Sequence, residues 1–389
     1  MASFPYILIM KNTHLSRRDF LKLLGVGALS TGAITLPITY FPVSARQKAL
    51  RSLLPDFPGA KRLGRVLVGK AEIKARPDVN SPTVAELYEN AVVPWLREVT
   101  GSSPYRFVQR FVETPDGYIW SPHLQKVQNN INENVLTRLP DYAGGIGMWV
   151  EVTVPYVDLV LANPPVRSPA FQKGVPQRLY YQQVVWCDEI MMDEEDVVWY
   201  RLNERSGSYG DIFYVPAKAM QVITPEEVAP FSPDVPNEEK KIVININENV
   251  QTLSCFENER EVYFARISAG QRADIKGNPT EKSATPLGVF GTSWKLHSIH
   301  MSGGASGVGW DLIGVAWPSF FAEPGIAIHA TFWHNNFGGE YMSHGCVNML
   351  AEDAKWVWRW TLPGVPYDVV EVRENWTSEN RTKVQVIEF

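Results

Sequence analysis

IAIHATFWHNNFGGEYMSHGCVNM, residues 326–349, is the stretch on which the reading of this chain turns. IAIH reads as a short apolar strand ending in His329. An aromatic, Asn- and Gly-rich loop follows, and Ser343-His344-Gly345-Cys346 forms a tight turn just before a helix. That helix is LAEDAKWVWRWT at 350–361. Glu352 and Asp353 in its first turn and Arg359 in its last complement the macrodipole, and Pro363-Gly364 stops it. A cysteine at such a turn is predicted to be activated, because a helix N-terminus or an imidazolium lowers a thiol pKa from about 8.5. The thiolate is the attacking species. Gly345 allows the sharp turn, and free N–H groups around Gly345 and Cys346 are expected to form an oxyanion hole. An imidazole supplies the base, since its pKa lies near 6.5. His329 and His344 are both candidates. His329 is preferred, because a returning loop can bring it beside Cys346, whereas the turn can point His344 elsewhere.

Five of the seven histidines lie between 297 and 344: His297, His300, His329, His334 and His344. A zinc site is the competing reading. No HExxH pair occurs, and His297 and His300, three apart in an expected strand or loop, would face opposite sides. No metal and no cofactor are therefore expected, and His297, His300 and His334 read as plain polar, loop or pocket residues. The Gly-rich MSGGASGVGWD at 301–311 lacks a following helix and a GK[ST] ending, and reads as a loop over the cleft. Trp356, Trp358 and Trp360 read as core or interdomain packing. Cys187 and Cys255 read as inert buried thiols, with a bridge between them as the alternative.

Further outward, Lys plus Arg number 37 and Asp plus Glu 42, a net charge of −5. Hydrophobic residues are 45% and charged residues 20%, an ordinary globular balance that allows two or three domains. With no Lys/Arg block, no nucleic-acid partner is expected. Three cysteines exclude a disulfide-stapled scaffold. SRRDFLK at 16–22, followed by an uncharged stretch to Ala45, resembles a twin-arginine export signal, with Val43-Ser44-Ala45 at the cleavage position. A retained membrane anchor through residues 20–45 is the alternative. Either places the folded part outside the cytoplasm, in the cell envelope.

Residues 1–45 are thus a signal or anchor and 46–65 a basic linker. A first β-rich block spans 66–128, although VAELYEN from 84 could begin as a helix. A second spans 145–224. The blocks end alike, Ile119-Trp120-Ser121-Pro122 in one and Phe213-Tyr214-Val215-Pro216 in the other, each followed by a short closing strand. The first resembles bacterial Src-homology-3-like modules, and the second does so weakly. Residues 225–239 read as a Pro- and acid-rich linker, 240–373 as a third domain closed by PYDVVEV at 366–372, and 374–389 as a C-terminal tail. The fold class is mainly β, with one helix after the nucleophile.

The third domain resembles the L,D-transpeptidase (YkuD) catalytic domain. The carrying residues are His329, then Ser343-His344-Gly345-Cys346-Val347-Asn348, with Thr285, Pro286, Gly288 and Phe290 in ATPLGVF and the strand RISAG at 266–270. Ala330 departs from the Gly or Ser common after the histidine, but only its backbone carbonyl is used to orient the imidazole. The resemblance implies that Cys346 is the nucleophile and His329 the proton donor and acceptor, with His344 and Gly345 lining the oxyanion site. Ser343, Asn348, Trp333 and Ala330 are expected to shape the substrate pocket. The implied partner is a peptidoglycan stem peptide: D-alanine leaves, a thioester remains, and an amine of a second stem resolves it. A monomer is expected. An L,D-carboxypeptidase or another cell-wall cysteine peptidase is the alternative enzyme, and a non-catalytic wall-binding protein the alternative of another class.

Overall fold

KKIVININ at 240–247 alternates buried and half-buried side chains, the period-two signature of a strand with one face on a core. The computed structural model describes residues 54–247, 249–272, 283–303, 310–375 and 377–389. In it, Lys240–Asn247 pairs antiparallel with Val250–Glu257, which pairs with Arg260–Arg266. On the other side of Lys240–Asn247 runs Lys383–Ile387, in parallel, and then Gly288–Gly291. The reading of 374–389 as a tail is therefore corrected. Val384 and Val386 lie opposite Ile242 and Ile244, and all four are buried.

A second five-stranded sheet runs Val347–Met349, Ile326–Ala330, Ser319–Ala322, Trp294–Leu296 and Glu371–Arg373. The strand expected over 366–372 is only the short last of these. One hydrophobic cluster joins both sheets, and helix Ala351–Trp360 contributes Ala354, Val357, Trp358 and Trp360 to it. Trp356 stacks on Tyr263 with centroids 4.0 Å apart, so the tryptophan run packs inward as read. The last-turn carbonyls of the helix have no partners within it. Two lysines supply them: Lys295, 1% exposed, donates to Trp358 O at 2.6 Å and Thr361 O at 2.7 Å, and Lys240 donates to Trp360 O at 3.3 Å. Ser298–Gly303 and Trp310–Ala316 form a separate hairpin. Its Gly-rich tip, 304–309, lies outside the described residues.

The two earlier blocks share a closing device. In each, a hairpin (Arg110–Thr114 with Gly117–Trp120; Val198–Asn203 with Ile212–Pro216) leads into a 3₁₀ turn. A short strand then returns to pair antiparallel with the strand that opens the block, Leu124–Val127 with Leu63–Val66 and Met220–Val222 with Met148–Val152. The first strand thus starts at Leu63, inside the expected linker. Thr83–Tyr88 is a strand paired with Lys70–Lys74, not a helix. The segment 225–239 is not a free linker either. It opens with helix Pro225–Val228, capped by a Thr224–Glu227 box, and buries Val228. The described residues, from 54 onward, form one compact unit. The export-signal reading falls on residues outside those described. Among the described residues no helix is long and apolar enough to cross a membrane.

Candidate active site

Ile326–Ala330 is buried along its whole length and runs parallel to Val347–Met349, with Ile328 opposite Val347 and His329 opposite Asn348. Continuing the register by one residue sets Ala327 against Cys346, and the Ala327 N–H donates to Cys346 Sγ at 3.5 Å. Strand alternation turns Ala327 and His329 to one face, so the preferred base and the cysteine belong to neighbouring positions of one ladder.

The turn before Cys346 is built by small polar groups. Gly345 has φ of 120°, which a glycine adopts without steric cost. Ser343 Oγ accepts from the Gly345 N–H at 3.1 Å and donates to Cys346 O. Thr285 Oγ1 donates to Gly345 O at 2.8 Å and accepts from the Gly270 N–H at 2.9 Å. Two expectations are corrected here. Cys346 does not stand at a helix N-terminus, because the strand Val347–Met349 intervenes before the helix begins at Ala351. The Gly345 N–H is spent on Ser343 and is not free for an oxyanion.

Electrostatics follow from that placement. Burial pushes the Cys346 thiol up to about 11, opposed by the Ala327 N–H. Burial pushes His329 down to about 4, opposed by its hydrogen bond to Ala330 O. Both shifts favour the uncharged forms, thiol and neutral imidazole. The His329 Nδ1–H donates to Ala330 O at 2.8 Å, which leaves Nε2 as the acceptor. His344 is exposed, and its ring lies 4.3 Å from that of Trp310 on the hairpin.

Trp333 is half-buried, with its ring 5.8 Å from His329. It also lines a cavity of about 210 Å³ shared with Arg65, Tyr180 and Asp311. Ser343, Asn348 and Ala330, expected to shape the pocket, are all buried. Asn348, 0% exposed, exchanges backbone hydrogen bonds with Ser268, and its carboxamide meets His334 Nε2 at 2.8 Å. Thr285 lies in ATPLGVF and Trp310 in the Gly-rich stretch 301–311, neither with a role assigned from sequence, and Arg65 carries no sequence signal.

His297 and His300 sit against the second block, not beside the cysteine. His297 is wholly buried and stacks on Trp149 with centroids 4.8 Å apart. His300 Nδ1 meets Glu204 Oε2 at 2.7 Å and its Nε2 meets Asp311 Oδ1. Cys187 and Cys255 are free and buried. Among the described residues no group of three His, Cys, Asp or Glu side chains is disposed to hold a metal.

Residues 239–372 match the family model of the L,D-transpeptidase catalytic domain. No curated protein matches the chain. Among solved structures, an L,D-transpeptidase of Enterococcus faecium is 18% identical over 38% of this chain and 50% of its own, with a TM-score of 0.28. One from Xylanimonas cellulosilytica is 21% identical over 38% and 60%, at 0.25. One from Mycobacterium smegmatis is 16% identical over 51% and 98%, at 0.28. The chain thus spans half the length of the Enterococcus structure. The family-model match thus covers about a third of the chain, residues 239 to 372.

Proposed function

We propose that the protein is a peptidoglycan L,D-transpeptidase acting outside the cytoplasm, with Cys346 as nucleophile and His329 as base. The observation that carries this reading is the pairing of that family match with an imidazole fixed by Ala330 O so that its Nε2 can accept a proton. Since both groups rest neutral, proton transfer from Cys346 Sγ to His329 Nε2 accompanies attack on the stem-peptide carbonyl. A C–S bond forms and the amide C–N bond breaks. His329 returns its proton to the leaving nitrogen, and D-alanine departs. An amine of a second stem then attacks the thioester. The new C–N bond replaces C–S, and the amine proton goes back through His329 to the sulfur. His344, exposed beneath Trp310, belongs to the mouth of the site. A twin-arginine-type signal in the first 45 residues suits delivery to the envelope.

Incubation with a disaccharide-tetrapeptide, followed by mass analysis, tests the reading. Cross-linked dimer plus free D-alanine is the expected product. Tripeptide without dimer makes water the acceptor and the enzyme a carboxypeptidase. No product while Cys346 is intact overturns the proposal.

A further inference from the structure

Arg65 belongs to the opening strand of the first block, Leu63–Val66, yet its guanidinium ends at the loop that leads away from His329. It is 3% exposed. Its Nε–H and Nη2–H donate to Gln125 Oε1 at 2.9 and 2.7 Å, and its Nη1–H donates to Asn90 Oδ1 at 2.7 Å. Nη2–H also donates to the backbone oxygen of Phe332 at 2.7 Å. The guanidinium covers the ring of Tyr180, from the second block, at 4.0 Å. From there the rings run on to His329. Tyr180 stacks on Phe332 at 5.5 Å, Phe332 meets Trp333 edge-on at 5.0 Å, and Trp333 lies 5.8 Å from His329.

No ion pair involves Arg65 among the described residues. Burying a cation among neutral acceptors is costly, and an apolar side chain of similar volume would fill the space at less expense. What a planar, five-donor group adds is geometry. It fixes Phe332 O, three residues past His329, against two blocks at once. The first block grips the same loop elsewhere. Asn335 Nδ2–H donates to Ser121 O at 3.2 Å, and Arg106 pairs with Glu340 at 3.4 Å. Gly339 lies so close to Phe107 that a Cβ there would come within 2.3 Å of its ring.

We infer that Arg65 is a positioning residue for His329, and that the first block is a working part of the active site rather than only a targeting module. This rests on the assignment of Cys346 and His329 as the reacting pair. It predicts a rate defect without a binding defect. In the full chain, with folding checked by thermal melting, Arg65→Ala is expected to lower kcat for D-alanine release by about 10²-fold, the cost of a misplacement of about 1 Å. KM should stay near the wild-type value. Arg65 lines an open cavity, so millimolar guanidinium should restore part of the rate in Arg65→Ala, and none in His329→Ala. Gln125→Met, which keeps the cation but removes the one oxygen that accepts two of its hydrogen bonds, should show a smaller defect of the same kind and serves if Arg65→Ala does not fold. Alkylation of Cys346 by iodoacetamide, read by intact mass, needs no substrate and should slow in both variants.

Folded Arg65→Ala or Gln125→Met with wild-type kcat and alkylation rate overturns the inference. So does a defect that follows loss of folded protein with no rescue. Wild-type protein that releases no D-alanine, beside slowed alkylation in the variants, defeats the substrate assignment and leaves the positioning role standing.

Discussion

The two small β blocks close in the same way but hold the third domain by different chemistry. The first reaches the loop after His329 through Arg65, a permanent cation set among neutral acceptors. The second holds the hairpin Ser298–Gly303/Trp310–Ala316 through a titratable triad. Glu204 accepts from the Gly314 N–H at 3.0 Å and pairs with His300. Asp311 accepts from Ser168 Oγ at 2.6 Å and the Ala170 N–H at 3.1 Å while facing the other imidazole nitrogen. Burial works against the charge on His300, but hydrogen bonds and charges from Glu204 and Asp311 outweigh it and raise its pKa to about 9. A shared ending therefore says little about what a block does. The difference lies in which side chain crosses the interface and whether its charge can be removed.

The reference point for any comparison is loss of the nucleophile. Cys346→Ala should abolish D-alanine release, whereas Cys187→Ala and Cys255→Ala should retain it. Cys187 and Cys255 are buried whereas Cys346 is partly exposed, so neither can substitute. Activity surviving in Cys346→Ala would remove the site both blocks are said to serve.

The second block is tested next. His300→Leu leaves Glu204 and Asp311 buried without their cation, and breaking such a group typically costs about 3–5 kcal/mol. Its melting temperature should fall by many degrees, and Glu204→Gln should soften the loss when combined with it. Equal melting of His300→Leu and wild type would dissolve the contrast between the blocks.

Acidity sharpens the same contrast at lower cost. The folded pKa of His300 is raised, so its stabilisation is fully present below the unfolded value near 6.5 and is lost as pH rises through about 9. The loss is on the order of 3 kcal/mol by linkage. Melting measured from pH 6.5 to 9.5 should decline in wild type and lose that slope in His300→Leu. Arg65, lowered by burial only to about 10, keeps its charge across this window. The smallest effect concerns the chemistry itself. His329 is lowered to about 4, so the acid limb of kcat/KM should lie well below the usual histidine range. A limb near 6.5 would mean that the imidazole is solvated during turnover.

Much of the site was legible because its groups are close in sequence. Ile326–Ala330, the SHGC turn and the helix from Ala351 lie within one short stretch, and each carries a local signal: apolar run, glycine turn, acidic first turn. The parallel pairing that sets Ala327 against Cys346 is a consequence of that closeness. What the local pattern hid was the strand between the cysteine and the helix, since Val347-Asn348-Met349 is too short to show a period. The upward push on the thiol was equally hidden, because burial is a property of the whole fold. Thr285, Trp310 and Arg65 act across long separations, and a single arginine at the end of a strand looks like any solvated one. KVQVI at 383–387 did alternate, but two valines in a polar stretch read as a tail until Ile242 and Ile244 are seen beside them.

That strand has a further consequence. Lys383–Ile387 is wedged between Lys240–Asn247 and Gly288–Gly291, so the sheet under the active site can be completed only after the chain has been made to its 380s. Pairings that far apart are slow to find, because loop-closure entropy is lost before contacts repay it. A nascent chain halted near residue 373 would expose two open sheet edges, the kind of surface that recruits other chains. Maturation of the thiol site is thereby coupled to synthesis beyond the boundary of the matched family domain.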